Sequence, residues 1–218
     1  MNKTYYNGLI FLCAVAAIYA SYAWPVSGYY ALKPLTSILI IGLMLFFREG
    51  NHSQTSTHQK AIIVALLFCL LGDVFLLDYA YFAYGLGSFL IAHLIFASVF
   101  FRLSGEKQYW GVLVAITLIS ATYFYVIYPG LEDLKFPVLI YFSCIGVMCW
   151  QGFRVALLRR DKWGYLLALA TISFVISDAT IAANEFIAPF AASNAIILSL
   201  YWLSITLIAN LFSGKSAE

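Results

Sequence analysis

Two aspartates stand inside long apolar stretches, where a carboxyl group is costly and needs a specific role. Asp73 lies in the segment Cys-Leu-Leu-Gly-Asp-Val-Phe-Leu-Leu, and Asp178 lies in Val-Ile-Ser-Asp-Ala-Thr-Ile-Ala. Two carboxyl groups that face each other in apolar surroundings do not both ionise easily, so one would hold a proton while the other is charged. Such a pair predicts a general acid beside a base or a cation stabiliser, with the two roles left open. The alternative is that each aspartate only bonds a neighbouring helix.

Two other ionisable side chains occur in apolar surroundings. Lys33 either reaches lipid phosphates or binds a substrate phosphate, and His93 either bonds a neighbouring helix or serves as a ligand. One such histidine is too few for a zinc site with three histidines, and there is no Gly-x-Ser-x-Gly motif. We therefore predict no metal, and we do not favour a zinc hydrolase or a serine esterase.

The composition requires lipid as the solvent of this chain. Of the 218 residues, 63% are hydrophobic and only 10% are charged, whereas soluble domains are about half apolar and a quarter charged. The apolar runs are continuous and do not alternate, which disfavours a β-barrel. The net charge of +2 is too small to indicate nucleic acid as a partner. We predict an all-α polytopic membrane protein with a single integral membrane domain, residues 1–218.

Eight apolar segments are long enough to cross a bilayer. They are predicted at Tyr6–Ala23, Ala31–Phe47, Ala61–Leu77, Tyr81–Phe101, Trp110–Tyr128, Pro137–Phe153, Trp163–Ala182 and Asn194–Phe212. We expect the first segment to be retained as a span, since its apolar run is long for a signal peptide. The polar stretch Arg48–Lys60 predicts a mobile loop without a site of its own.

The four cysteines form no CxxC pair, so we expect small packing residues and no disulfide framework. They are Cys13, Cys69, Cys144 and Cys149, all in apolar runs.

Basic residues predict the orientation of the chain. Of the 12 Lys and Arg residues, only Lys33 and Lys135 fall on one side of the predicted bundle. The rule that cytoplasmic loops are rich in Lys and Arg places both termini in the cytoplasm. We expect an integral protein of a bacterial cytoplasmic (inner) membrane.

The two halves of the chain, residues 1–105 and 106–218, show signs of a parallel repeat of four helices each. Trp24-Pro25 and Tyr128-Pro129 are 104 residues apart, and Pro34 and Pro137, each expected to open a span, are 103 apart. Asp73 and Asp178 are 105 residues apart, each four residues before the predicted outer end of its span. Both carboxyl groups are thus expected about 6 Å below one membrane boundary, where they could share a cavity. Each follows a small residue, Gly72 or Ser177, which allows close helix packing.

Several segments, in order, resemble the lysoplasmalogenase (YhhN-like) membrane family. They are Lys33-Pro34-Leu35, Gly72-Asp73-Val74-Phe75-Leu76, Gly87-Ser88-Phe89-Leu90-Ile91-Ala92-His93, Ile176-Ser177-Asp178 and Ile181-Ala182-Ala183-Asn184-Glu185-Phe186. The family is known for cleaving the vinyl ether bond of lysoplasmalogens to a fatty aldehyde and glycerophospho-ethanolamine or -choline. The resemblance implies a lysophospholipid substrate in the membrane and no cofactor. It also implies catalytic Asp73 and Asp178, with Lys33, His93 and Asn184 at the substrate.

Two other functions are compatible with the same residues. Paired intramembrane aspartates and parallel repeats also occur in proton-coupled transporters. A hydrolase of another lysolipid, with an ester or phosphodiester bond, is the third hypothesis. Oligomeric state is not predicted from these residues.

Overall fold

The computed structural model describes residues 2–23, 27–47 and 53–214 of the chain. These ranges contain eight α-helices and no strand, which confirms the predicted all-α class. The helices are α1 Lys3–Ala20, α2 Ser27–Phe46, α3 Ser53–Phe75, α4 Phe82–Leu103, α5 Trp110–Ile127, α6 Lys135–Arg159, α7 Lys162–Phe186 and α8 Ser193–Ser213.

Seven segments in the described ranges are long and apolar enough to cross a membrane, and they correspond to α2 through α8. The chain is therefore a polytopic integral membrane protein. The first helix, Lys3–Ala20, is apolar after its first two turns. Its Lys3 Nζ donates to the carbonyl of Asn210 at 3.3 Å, which holds the start of α1 beside the end of α8.

The prediction of a loop at Arg48–Lys60 is wrong from Ser53 onward, because α3 begins at that residue. Residues 48–52 lie outside the described part of the chain. The polar turns of α3 are held by tertiary packing: Gln59 is buried, and its Nε2 donates to the carbonyl of Phe212 at 2.9 Å. The polar composition alone did not reveal this contact between α3 and the end of α8.

The prediction that Pro34 opens the second span is wrong. Pro34 lies inside α2, which begins at Ser27. Lys33 is therefore about two turns inside the helix. Proline cannot supply the N–H that the carbonyl of Tyr30 would accept, but a helix packed among neighbours tolerates this loss. Pro137 does lie in the first turn of its helix, α6, and Trp24-Pro25 lies outside the described residues.

The packing of the helices is similar in the two halves of the chain. In the first half α2 packs against α1, α3 and α8, and in the second half α6 packs against α5, α7 and α4. The pairs α3–α4 and α7–α8 are extensive in both. Each half thus contributes its last helix to the other half. This arrangement supports the predicted repeat, which stays a prediction.

Gly72 allows the close helix approach that its position before Asp73 predicted. A Cβ atom there would lie 2.5 Å from Cε2 of Phe89, so α3 and α4 meet at this point. On α7, the hydroxyl of Ser177 instead donates to the carbonyl of Ile197 on α8, at 2.9 Å. Both small residues therefore bring the helix that carries an aspartate against its successor.

The periphery of the bundle has a different character. The only buried residue of α5 is Ile127, as expected for a helix that faces lipid. The turn before α5 is held by Arg154, whose guanidinium donates to the carbonyls of Gly105 and Lys107 at 2.8 and 3.1 Å.

All four cysteines are free, and three of them are buried, which confirms the expectation of packing residues.

Candidate active site

Asp73 is buried in the last turn of α3 and accepts two hydroxyl hydrogen bonds on Oδ2. One comes from Ser37 on α2, and the other comes from Tyr201 on α8 at 2.8 Å. The ammonium of Lys33 acts on this carboxyl electrostatically without a direct salt bridge in the described part of the chain. Two neighbouring helices, α2 and α8, thus fix the orientation of a carboxyl group carried by α3.

Asp178 is buried about two turns before the end of α7. Its Oδ2 accepts a hydrogen bond from the hydroxyl of Tyr141 on α6, and it lies 3.7 Å from Nε2 of His93 on α4. Neither nitrogen of His93 has a hydrogen-bond partner among the described residues. The fully buried imidazole thus meets Asp178 without a hydrogen bond of its own to the described residues.

The two carboxyl groups have equivalent surroundings. The hydroxyl donors Ser37 and Tyr141 precede their aspartates by 36 and 37 residues. Each aspartate also meets a ring from the last helix of the opposite half, Tyr201 for Asp73 and His93 for Asp178. This correspondence is independent of the proline and aspartate spacing in the sequence, and it is further support for a repeat.

Aromatic rings connect the surroundings of the two aspartates. Phe174 packs edge-on against His93 and against Tyr201, with centroid distances of 4.5 and 5.5 Å. Phe89 closes the same cluster at 5.6 Å from Tyr201. No hydrogen bond or ion pair in the described ranges joins the carboxyl groups directly, so they do not form one hydrogen-bonded pair here.

Asp178 borders a small cavity of about 30 Å³. This volume is enough for one water molecule, which occupies roughly 10–15 Å³ on this measure. Apart from Asp178 and Tyr141, which has a polar hydroxyl, all of its lining residues are apolar. Its lining residues are Phe82, Leu86, Val138, Tyr141, Phe142, Asp178, Ile181, Ala182 and Phe186.

A larger, polar cavity of about 170 Å³ adjoins the first, because Phe82 and Ile181 line both. Lys33 and Asn184 line this second cavity, so the structure brings together two of the predicted substrate-binding residues. Asp73 and the third predicted substrate-binding residue, His93, line neither cavity. The remaining lining residues are Tyr29, Leu76, Asp78, Tyr79, Glu185, Asn194, Ile197 and Leu198.

The sequence did not identify the hydroxyl donors Ser37, Tyr141 and Tyr201. A tyrosine in an apolar span is ordinary, and no local pattern distinguishes these two from those that face lipid. The 104-residue spacing of Ser37 and Tyr141 matches the other repeat offsets, and that was the one available signal. In the described ranges, no group of three His, Cys, Asp or Glu residues could hold a metal ion.

This arrangement of apolar spans, two buried aspartates and adjoining cavities occurs in a chain that belongs to the YhhN family. The sequence profile of that family matches residues 28–212. The match includes Lys33, His93, Asn184 and both aspartates. It begins within α2 and ends in α8, so it covers nearly all of the packed bundle.

Similar proteins are named for an activity. Lysoplasmalogenase TMEM86A of Bos taurus is 35% identical over an alignment of 179 residues that covers 78% of this chain and 73% of that protein. Its counterpart of the same name from Homo sapiens is 32% identical over 178 residues, with 78% and 73% covered. The uncharacterized membrane protein YhhN of Escherichia coli O157:H7 is 24% identical over 198 residues, with 90% and 93% covered. No solved structure matches this chain.

Proposed function

We propose that this protein is a lysoplasmalogenase that hydrolyses the vinyl ether bond of a lysophospholipid within the membrane. The observation that carries the proposal is the water-sized cavity at Asp178, which adjoins the polar cavity at Lys33. A lysolipid has one phosphate near the aqueous boundary and one ether-linked chain. The names of the relatives indicate which bond of such a lipid is cleaved.

The two cavities suggest how the substrate is held. Lys33 is buried and carries a positive charge into the polar cavity, where it would bind the substrate phosphate. Asn184 would add an amide contact from the same cavity. The alkenyl chain would then pass between Phe82 and Ile181 toward Asp178, so that the vinyl ether lies beside the small cavity.

In this proposal Asp178 is the proton donor, because it is the buried aspartate that lines the water-sized cavity. Its carboxyl proton is transferred to the alkene carbon that is not bonded to the ether oxygen. This leaves an oxocarbenium ion and the Asp178 carboxylate. Water adds to the cation, and the Asp178 carboxylate takes a proton from that water molecule. The resulting hemiacetal breaks its carbon–oxygen bond, with its hydroxyl proton passing to the departing glycerol oxygen, and releases the aldehyde.

The surroundings support distinct roles for the other residues. His93 lines neither cavity, so it would act through Asp178, whose Oδ2 lies 3.7 Å from its Nε2. Asp73 is held by two hydroxyl donors and would balance the positive charge of Lys33 at the phosphate-binding end of the site. It would also stabilise the oxocarbenium ion through space. Neither role requires a cofactor.

We place the enzyme in a bacterial cytoplasmic membrane with both termini in the cytoplasm. The bias of Lys and Arg supports this orientation. The site would then lie toward the outer leaflet, from which a lysolipid could enter between helices.

Aldehyde release from lysoplasmenyl-ethanolamine tests the proposal on the purified protein. Asp178→Asn removes the donated proton, so we expect a loss of at least a hundredfold in kcat, as is usual for general acid catalysis. Asp73→Asn should also lower kcat, by a smaller factor. The exposed Asp133→Asn is the matched control, because that side chain lines neither cavity.

Folded Asp178→Asn protein with full activity would contradict the site assignment. Saturated-ether and ester analogues, assayed beside the vinyl ether, distinguish this reaction from hydrolysis of another lysolipid. Solute flux into proteoliposomes without turnover of any lipid would favour a transporter instead.

A further inference from the structure

The polar cavity has an acidic rim and a basic floor. Lys33 is 5% exposed and forms the inner part of its wall, whereas Asp78 and Glu185 are exposed at its outer edge. The rim is contributed by the chain after α3 and by the end of α7, and the floor by α2. Opposite charges therefore meet a ligand at two different depths.

The basic floor lacks a direct partner. In the described part of the chain, the ammonium of Lys33 makes no hydrogen bond or salt bridge, and it lies 5.7 Å above the ring of Tyr29. A buried ammonium normally needs a paired anion, because its desolvation is costly. Asp73 acts on it only from beyond salt-bridge distance. The cavity thus presents an available cation to an anionic group.

The acidic rim has free acceptor oxygens. Oε1 of Glu185 accepts a hydrogen bond from Nδ2 of Asn184 at 3.1 Å, and Oδ1 of Asp78 accepts from the backbone N–H of Ala80 at 2.9 Å. The second oxygen of each carboxylate makes no further bond to the described residues. These bonds orient both carboxylates while leaving an acceptor for a cationic donor.

We propose that this cavity selects a phospho-ethanolamine head group, with the phosphate on Lys33 and the primary ammonium on Glu185 and Asp78. This inference rests on the proposed function and adds the head group to it. A primary ammonium donates three hydrogen bonds to carboxylate oxygens. The trimethylammonium of choline donates none, so it gains only the weaker attraction of the charges and of nearby rings.

The distance between Asp178 and Glu185 fits the length of this head group. Along α7, Asp178, Ile181 and Glu185 follow the spacing of one helix face, and Asp178 and Glu185 are separated by roughly 10 Å of helix rise. In a lysoplasmenyl-ethanolamine, the ether oxygen and the amine nitrogen are nine bonds apart, or about 11 Å when extended. An ammonium at Glu185 therefore places the vinyl ether at the depth of Asp178.

Binding of non-hydrolysable analogues tests the inference without requiring turnover. The probes are three saturated alkyl ether lysolipids that carry phosphoethanolamine, phosphocholine or phosphate alone, titrated into the full chain in detergent. We expect the wild type to bind the ethanolamine probe about three- to fivefold more tightly than the choline probe, the size of an exposed ion pair. Glu185→Gln combined with Asp78→Asn should abolish that difference and leave the phosphate probe no weaker.

Two further variants complete the design. Lys33→Met should weaken all three probes, and Glu106→Gln, an exposed carboxylate at the opposite end of α4, should change none of them. Equal affinity of the wild type for ethanolamine and choline probes overturns the inference, as does a preference that persists in the double variant. If the preference holds but no aldehyde is released from a lysoplasmalogen, the proposed reaction fails and the head-group site stands.

Discussion

Each buried aspartate of this protein depends on hydroxyl groups from other helices. Asp73 is held by Ser37 and Tyr201, and Asp178 by Tyr141 with His93 nearby. A carboxyl group in apolar surroundings keeps one orientation only when such donors are present. The chemistry assigned to Asp178 therefore depends on the hydroxyl of Tyr141, which orients its carboxyl group.

Tyr141→Phe tests that dependence, because it removes the donor and keeps the ring. Loss of a hydrogen bond to a carboxyl group costs about 1.5–3 kcal/mol, so we expect kcat to fall by roughly ten- to a hundredfold with little change in KM. Steady-state kinetics and thermal unfolding are measured together.

Tyr123→Phe is the matched control for this variant. Its hydroxyl donates to the carbonyl of Ala179, the residue after Asp178, at 2.5 Å. Kinetics that change equally in both variants would show that the hydroxyl of Tyr141 acts only through packing.

At the scale of the helices, glycine positions determine how closely α3 approaches α4. Gly72 contacts the ring of Phe89, which itself packs against Phe174 and Tyr201 in the aromatic cluster. The position of Asp73, one residue later, follows from this contact. A displacement of α3 would move the carboxyl group away from its donors.

Gly72→Ala should therefore lower both stability and activity. The added Cβ would lie 2.5 Å from the Phe89 ring, and overpacking of this kind costs about 1–3 kcal/mol. Gly87→Ala on α4 is the control, since nothing lies within 4 Å of that Cβ. A Tm for Gly72→Ala equal to that of the control would contradict the close approach.

The start of α7 offers a prediction about pH. Asp161 caps this helix by accepting from the N–H of Gly164 at 2.8 Å, and this bond and the side chain of Arg159 lower the pKa of Asp161 below its ordinary 3.8. A lowered carboxyl pKa stabilises the fold at pH values above 3.8, and the stabilisation is lost as pH falls through the lowered pKa.

Asp161→Asn keeps an oxygen for the Gly164 N–H but cannot ionise. We expect the wild type to unfold at a higher temperature than this variant at neutral pH, and the gap to close as pH falls below 3.8. Thermal unfolding across pH measures it. A gap that does not depend on pH would exclude the charge as its cause.

At the scale of the whole molecule, we propose that the chain consists of two parallel halves, residues 1–105 and 106–218, that exchange their last helices. The equivalent donors at Ser37 and Tyr141 and the packing of α2 on α8 and α6 on α4 support this proposal. In a parallel repeat the two aspartates would face one axis along the membrane normal. The halves differ in one respect: of the two buried aspartates, Asp178 lines the water-sized cavity and Asp73 lines neither described cavity.

The proposed orientation has a direct test in reporter fusions. A fluorescent protein fused after Lys107 should fluoresce, because that turn is expected in the cytoplasm, and alkaline phosphatase fused after Asp133 should be active outside. The opposite pattern would place the head-group cavity at the cytoplasmic leaflet and would exclude entry of substrate from the outer one.

The sequence by itself determined the solvent and the fold class, and it predicted the ionisable residues of the candidate site. A bilayer requires long apolar helices with internally satisfied backbones, so these properties are local and can be read from composition. For the same reason the costly side chains Asp73, Asp178 and Lys33 were recognisable without a structure.

Only the tertiary structure decided which groups meet those side chains. The donors Ser37, Tyr141 and Tyr201, the start of α3 in a polar stretch and the position of Pro34 inside α2 all depend on the rotation and packing of neighbouring helices. Serine and tyrosine are inexpensive in an apolar span, so their types carry no signal until two helices are placed together. The position of Asp178 at a water-sized cavity, beside a cluster of aromatic rings, follows from that packing.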